Sequence, residues 1–220
     1  MSIGQIREGL ARGKAAEVTQ GVALALEQGV GASVILNDGL CQAMGAVGER
    51  FRKGEVFVPQ VLLAARAMQR GLELLKPHLV AAGVEPVGTA VIGTIRGDLH
   101  DIGKNLVGMM LEGAGFRVVD AGIGVTAAAF VELARAHGAR IIGVSALLTT
   151  TMVHMREVVE AARSSGLDVR VMVGGAPLTQ AFCDEIGADG YSPDAASAAQ
   201  LALRLIRQDR EDSAQAQAPM

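Results

Sequence analysis

The sequence predicts a four-helix bundle followed by an α/β domain whose parallel sheet is covered by helices on both faces. Three observations carry this reading. Up to residue 76, apolar residues recur at spacings of three and four, one face of an amphipathic helix at a time. Beyond residue 86 the pattern changes to short β-branched runs alternating with helical stretches. Those runs are apolar at consecutive positions, as strands buried on both faces require. The 220 residues are 50% apolar and 20% charged, a composition that folds rather than remaining disordered.

Taken in order, weak helical patterns run over 3–12 and 14–28, and Gly29 and Gly31 separate them from the third. Leu36, Leu40, Met44, Val47 and Phe51 form one face of the third helix. Val58, Val61, Leu62, Ala65, Met68, Leu72 and Leu75 form one face of the fourth, which Pro77 is expected to end. Strand-like runs occupy 87–94, 116–119, 140–145 and 169–173, with helical patterns at 102–113, 126–137, 150–165 and 177–186. A final helix is expected from an N-cap at Asp194 to residue 207. The expected units are thus a helical cap with linker (1–86), an α/β domain (87–210) and a flexible polar tail (211–220).

Composition excludes several functions. Twenty basic against 23 acidic residues give a net charge of −3 without a basic stripe, and the aromatics are five Phe, one Tyr and no Trp. Neither a phosphate-tracking surface nor a base-stacking platform is present, so nucleic acid is not an expected partner. Cys41 and Cys183 stand far apart with no Cys-x-x-Cys, which argues for buried thiols rather than a disulfide framework or zinc ribbon. No apolar run reaches the ~18 residues of a membrane span. The N-terminal stretch lacks a signal-peptide core, so a reducing cytoplasm is the expected compartment.

In an open α/β sheet, ligands bind beyond the carboxyl ends of the strands. The first such loop reads RGDLHDIGKN (96–105). It is not a P-loop: five residues, not four, separate Gly97 from Gly103-Lys104, and Asn105 stands where a hydroxyl would hold magnesium. It is not a dinucleotide fingerprint either, and Gly122-Ile-Gly124 lacks the third glycine. Asp98, His100 and Gly103 remain. A carboxylate two residues before a histidine can take one imidazole N–H and present the other nitrogen to a metal, while Gly103 leaves room for a large group. The same residues also suit a plain reading, in which Asp98 and Asp101 cap the next helix and His100 lies on the surface. His78, His137 and His154 do not pair with His100 at zinc-ligand spacing. A metal at His100 would therefore bring its own equatorial ligands, as in a macrocycle.

GDLHDIGKNLV (97–107) resembles the D-x-H-x-x-G signature of cobalamin-binding domains, those of methionine synthase and of corrinoid proteins serving methanol and methylamine methyltransferases. SALLTTTM (145–152) resembles the S-x-L segment of that family, and VGGAP (173–177) its glycine pair. FRKGEVFVPQ (51–60) with VLLAARAM (61–68) resembles its capping bundle. The likeness spans about residues 5–207. One departure lies at 120–126, DAGIGVT, where relatives more often carry a second acidic residue and a proline.

The resemblance implies a flavodoxin-like, Rossmann-type sheet of five parallel strands in the order 2-1-3-4-5. It also implies cobalamin, as methylcobalamin or cob(I)alamin, bound base-off with His100 as axial cobalt ligand. Asp98 and Thr151 would then form the relay behind His100. Asp101, Gly103, Ser145, Leu147, Thr149, Gly174 and Gly175 would line the cofactor and its nucleotide tail. Phe51 and Val58 would cover its upper face. The implied function is a methyl-carrying subunit rather than a complete enzyme. Its implied partners are a substrate-specific methyltransferase, a second methyltransferase with a thiol or tetrahydrofolate acceptor, and a reductive activation protein. A cobalamin-dependent sensor or a corrinoid store would use the same motifs.

Overall fold

Amphipathic periodicity produces helices where it was strongest. The computed structural model describes residues 3–216, with side chains to residue 208. It divides into two compact units, one running to Pro86 together with Glu112–Gly115, the other comprising Val87–Leu111 and the residues from Phe116 onward.

In the first unit, α1 (Ile3–Ala11) and α2 (Ala15–Glu27) match their patterns. The third helix is continuous but made of three pieces: α3 (Ala32–Val34), a π-helical stretch (Ile35–Cys41) and α4 (Gln42–Arg52). The wider π turn carries Gly39, at whose position a side chain would meet Ile6. Helix α5 (Val58–Ala81) opens with Pro59 in its first turn, and the Phe57 N–H donates to Gln60 Oε1 at 3.0 Å. It does not end at Pro77, as the sequence led us to expect. Proline removes only its own N–H, and the downstream bonds to His78, Leu79 and Val80 are intact. The helix ends at Ala81, and Gly83, with φ +64°, follows the Ala82 cap and turns the chain away. Ile6, Leu10, Val22, Leu40, Met44 and Leu75 are among the buried apolar residues of this unit. Gly71 lets α5 approach α2, since a Cβ there would stand 3.0 Å from Val18 and Leu40. Burial pushes the Cys41 thiol up to about 11, which leaves it a poor nucleophile.

The second unit is built on five parallel strands in the order β2-β1-β3-β4-β5: β1 (Thr89–Thr94), β2 (Arg117–Asp120), β3 (Ile141–Ser145), β4 (Arg170–Gly174) and β5 (Gly190–Ser192). Three-residue β5 has no run of its own in the sequence; only the family resemblance implied it. One face carries Val91, Ile142, Val144, Val171 and Val173. It packs on α7 (Ala127–His137), α9 (Met155–Ser164) and α10 (Gln180–Ile186). Phe130 of α7 is fully buried in this cluster, worth ~1.5–3 kcal/mol for a side chain of its type. Gly93 makes room for it, since a Cβ there would lie 2.8 Å from the ring. The other face meets α6 (Ile102–Gly113) through Gly108 and Ile92, and α11 (Ala195–Ala216) through Leu201 and Gly190.

Thr126, Thr179 and Asp194 cap α7, α10 and α11 by accepting N–H bonds from Ala129, Phe182 and Ser197. Where one helix was expected over 150–165, there are two, α8 (Thr149–Met152) and α9. Helix α11 continues to Ala216, through residues expected to be a tail. Its last turns hold Ala, Gln and Arg, which are good helix formers. Residues 217–220 of that expected tail lie outside the described residues.

Candidate functional site

Parallel register brings Thr94, Ser145, Gly174 and Ser192 into one transverse row at the carboxyl edge of the sheet. The loops leaving that row meet at Asp98. Its carboxylate is completely buried and accepts five hydrogen bonds. Oδ1 takes the His100 N–H at 3.1 Å and His100 Nδ1 at 2.7 Å. Oδ2 takes the Leu147 N–H at 2.8 Å, the Leu148 N–H at 3.2 Å and Thr151 Oγ1 at 2.8 Å. Burial pushes the Asp98 carboxyl up, but the donors from Leu147, His100 and Thr151 outweigh it and hold the group well below the usual carboxylate range. Asp98 is therefore the partner of His100, not the cap of the next helix.

An ionised Asp98 can only accept, so the Nδ1 of His100 carries its proton and Nε2 keeps its lone pair. The imidazole is about half exposed (53%). The His100 carbonyl accepts from Thr94 Oγ1 at 2.9 Å, so both the ring and the main chain of His100 are tied. Exposed Leu99, Ile102, Leu147, Leu148 and Val153 on the same loops form an apolar surround. The arrangement offers one oriented nitrogen lone pair to an electrophile or metal on an apolar floor.

Thr151 has a single hydroxyl proton, with Asp98 Oδ2 at 2.8 Å and the Leu148 carbonyl at 3.0 Å as acceptors. The charged acceptor is the stronger. Thr151→Val keeps the shape and removes the donor. It is expected to cost about 1 kcal/mol in urea denaturation, and less if Thr151 only fills space.

The other expected residues are placed as follows. Asp101 is half-buried, its Oδ2 accepting from Asn105 Nδ2 at 3.1 Å. Gly103 is exposed with nothing within 4 Å of a built Cβ. Ser145 ends β3 half-exposed, and Thr149 is exposed at the start of α8. Gly174 ends β4, and Gly175 follows with φ +136°. Phe51 and Val58 lie half-buried in the helical unit, near the end of α4 and at the start of α5.

Sequence reasoning missed three contributors, Leu148, Lys104 and Asp120. Leu148 acts through its backbone N–H, and Leu147, expected as a cofactor contact, also serves Asp98 by its N–H. Lys104 is buried, with Nζ 2.6 Å from both oxygens of Asp120. Among the described residues, no group of three His, Cys, Asp or Glu could hold a metal ion. His137 meets Arg117, and His154 meets Arg96 and Glu157. A metal bound at His100 must therefore arrive with most of its coordination shell filled.

Fold and site together define an α/β domain that holds a ligand at its carboxyl edge and offers it one oriented histidine. Two models described as B12 binding domain match the chain, over residues 88–200 and 3–76. A corrinoid protein of Desulfitobacterium hafniense is 42% identical over 176 residues, 78% of this chain and 82% of its own. Dimethylamine corrinoid protein 2 of Methanosarcina mazei is 46% identical over 175 residues, 78% of this chain and 82% of its own. The solved methanol:cobalamin methyltransferase complex of Methanosarcina barkeri superposes with a TM-score of 0.83 at 31% identity, over 93% of this chain and 79% of that chain. The chain belongs to the family of B12-binding corrinoid proteins.

The residues present fit such a cofactor. Strands β3 and β4 are interior, yet Gly143, Ser145 and Gly174 stay half-exposed on the face that α6 and α11 cover. That leaves a strip of sheet lined by small residues beside the loop of His100, suited to a slender ligand tail. The exposed apolar loop residues suit the face of a macrocycle. No described helix is long and apolar enough to cross a membrane.

Proposed function

We propose that this chain is a methyl-carrying corrinoid subunit that binds cobalamin base-off, with His100 as the axial ligand of cobalt. When bound, cobalamin supplies a cobalt centre that accepts a methyl group from one partner and yields it to another. The observation that carries the reading is the Asp98–His100 pair. A buried carboxylate with five donors orients the imidazole at 2.7 Å and leaves Nε2 free toward the exposed side.

Each residue then has a physical task. Asp98 keeps the Nδ1 proton in place and fixes the ring plane, which favours ligation by Nε2. Thr151 and the Leu147 and Leu148 N–H groups keep Asp98 ionised. Ser145, Thr149, Gly174 and Gly175 receive the nucleotide tail along the small-residue strip, with Asp101 and Gly103 beside it. By the family resemblance, Phe51 and Val58 of the helical unit would cover the methyl-bearing side. The methanol:cobalamin methyltransferase complex to which the chain is similar supports a substrate-specific methyltransferase as one partner; the other partners in this reading are an acceptor methyltransferase using a thiol or tetrahydrofolate and a reductive activation protein to rescue oxidised cobalt. Choice of methyl donor rests with the first partner.

The test is an ultraviolet–visible spectrum of the protein mixed with hydroxocobalamin or methylcobalamin, beside His100→Ala. The wild type is expected to retain cobalamin through gel filtration with a base-off, histidine-ligated spectrum that the variant lacks. Failure of the wild type to retain cobalamin, or an identical spectrum in both proteins, overturns the assignment.

A further inference from the structure

Among the described residues, Asp98 and Lys104 are the buried charged side chains. Asp98 has its role; Lys104 has none in the reading above. It sits in the first turn of α6, four residues beyond His100. Its ammonium takes both carboxylate oxygens of Asp120, the last residue of β2, at 2.6 Å. A buried lysine is costly unless paired, so this contact is a strong constraint on where its two chain segments lie.

The constraint leads to the histidine loop. Asp120 Oδ1 also accepts the Gly122 N–H at 2.8 Å, which turns the chain back along β1. There the Gly122 carbonyl accepts from Thr94 N–H at 2.9 Å, and the Val125 N–H donates to the Thr94 carbonyl at 2.8 Å. Between them the Gly124 N–H donates to the Asp98 carbonyl at 3.1 Å. Asp98 is thus held twice, its side chain by the loop after β3 and its main chain by the loop after β2. Lys104 locks the second of these to the helix that follows His100.

We infer that Lys104 and Asp120 are positioning residues for His100: the ion pair sets the backbone of Asp98, and through it the imidazole. The inference rests on the assignment of His100 as the metal ligand only for its effect on the cofactor. Its effect on the imidazole exists in the protein without cofactor.

The test therefore has two arms, each on Asp120→Asn and Lys104→Met, with Arg156→Ala, which breaks a surface pair with Glu185, as control. In the first arm, nitrogen-15 NMR of the cofactor-free protein reads the tautomer of His100. The wild type and the control are expected to show the Nδ1–H form, and both variants a mixture with the Nε2–H form. In the second arm, cobalamin is added. Both variants are expected to retain it, while the histidine-ligated fraction falls roughly three- to tenfold, at or below the effect of losing a direct outer-shell partner.

Folded variants with an unchanged His100 tautomer overturn the inference. So does loss of the fold in both variants, since the pair is then a brace for the core. If only Lys104→Met fails to fold, Asp120→Asn, altered at a half-exposed side chain, decides. Cobalamin failing to bind the wild type overturns the proposed function and leaves the tautomer arm to judge the pair.

Discussion

Asp98→Asn is expected to move the proton of His100 from Nδ1 to Nε2 and so to abolish ligation of cobalt while the fold survives. The argument is a count of donors. Asp98 faces three donors at Oδ2 and two at Oδ1. An asparagine has one acceptor oxygen and one NH2. With the oxygen placed toward Leu147, Leu148 and Thr151, the NH2 meets His100. The imidazole can then form a bond only by accepting at Nδ1, which puts its proton on Nε2, the nitrogen needed for the metal. The opposite flip sets the NH2 against three donors, which is worse. Either way a buried N–H group loses its acceptor, at about 1–3 kcal/mol.

Two measurements check this. The spectrum with added cobalamin should resemble that of His100→Ala, and nitrogen-15 NMR should report the Nε2–H tautomer. A wild-type spectrum from a folded Asp98→Asn protein would sink the orienting role of Asp98. Stability adds a pH signature. The Asp98 carboxyl is held below its ordinary value in the folded state. Its contribution is therefore complete above the unfolded carboxylate value, about 3.9, and is lost as pH falls below it. The stability gap between wild type and Asp98→Asn should be widest near neutrality and narrow on acidification.

The fold was legible in the sequence wherever periodicity was long. Both the helical and the α/β parts of the pattern, the change of period near residue 86 and the cap at Asp194 come from side chains that behave locally. Three features were not local. Strand β5 has only Gly190, Tyr191 and Ser192; its identity comes from pairing with β4, not from its composition. Pro77 interrupts one bond, and the remaining turn of α5 shows that proline disfavours a helix without always ending it. The split between α8 and α9 turns Thr151 toward Asp98, a tertiary requirement with no signature of its own.

The site divides the same way. Asp98 and His100 were visible because side-chain chemistry has a spelling, whereas Thr151 was reached only through the family resemblance. Three of the five donors to Asp98 are main-chain N–H groups, which every residue except proline carries, so nothing in the letters marks Leu147 or Leu148 for that task. Lys104 was weighed only as a phosphate-binding lysine. Its partner Asp120 lies 16 residues on, at the end of a strand whose place beside β1 had first to be known.

Gly175→Ala is expected to cost about 3–5 kcal/mol, enough to threaten the fold of a marginally stable protein. Two effects add. Gly175 has φ +136°, a conformation that L side chains rarely adopt, at ~1–3 kcal/mol. A Cβ there would also stand 1.8 Å from the Ala146 carbonyl oxygen and 2.9 Å from its carbon. These are backbone atoms, so no rotamer change relieves the overlap; the chain itself must move. Ala146 directly precedes Leu147 and Leu148, whose N–H groups hold Asp98. Whatever fraction folds should therefore show weakened histidine ligation as well. Gly174→Ala is the contrast. Its φ is not positive, and a Cβ would meet the Ser192 carbonyl at 3.2 Å, an overpacking of roughly 1–2 kcal/mol. That variant should fold, keep the Asp98–His100 pair, and, if the nucleotide tail runs along the strip of sheet as proposed, retain less cobalamin because the added methyl occupies it. Urea denaturation and cobalamin retention measured on both variants separate the two roles. Equal stability losses would show that the strain and overlap at Gly175 relax away. Undiminished retention by Gly174→Ala would mean that the tail runs elsewhere.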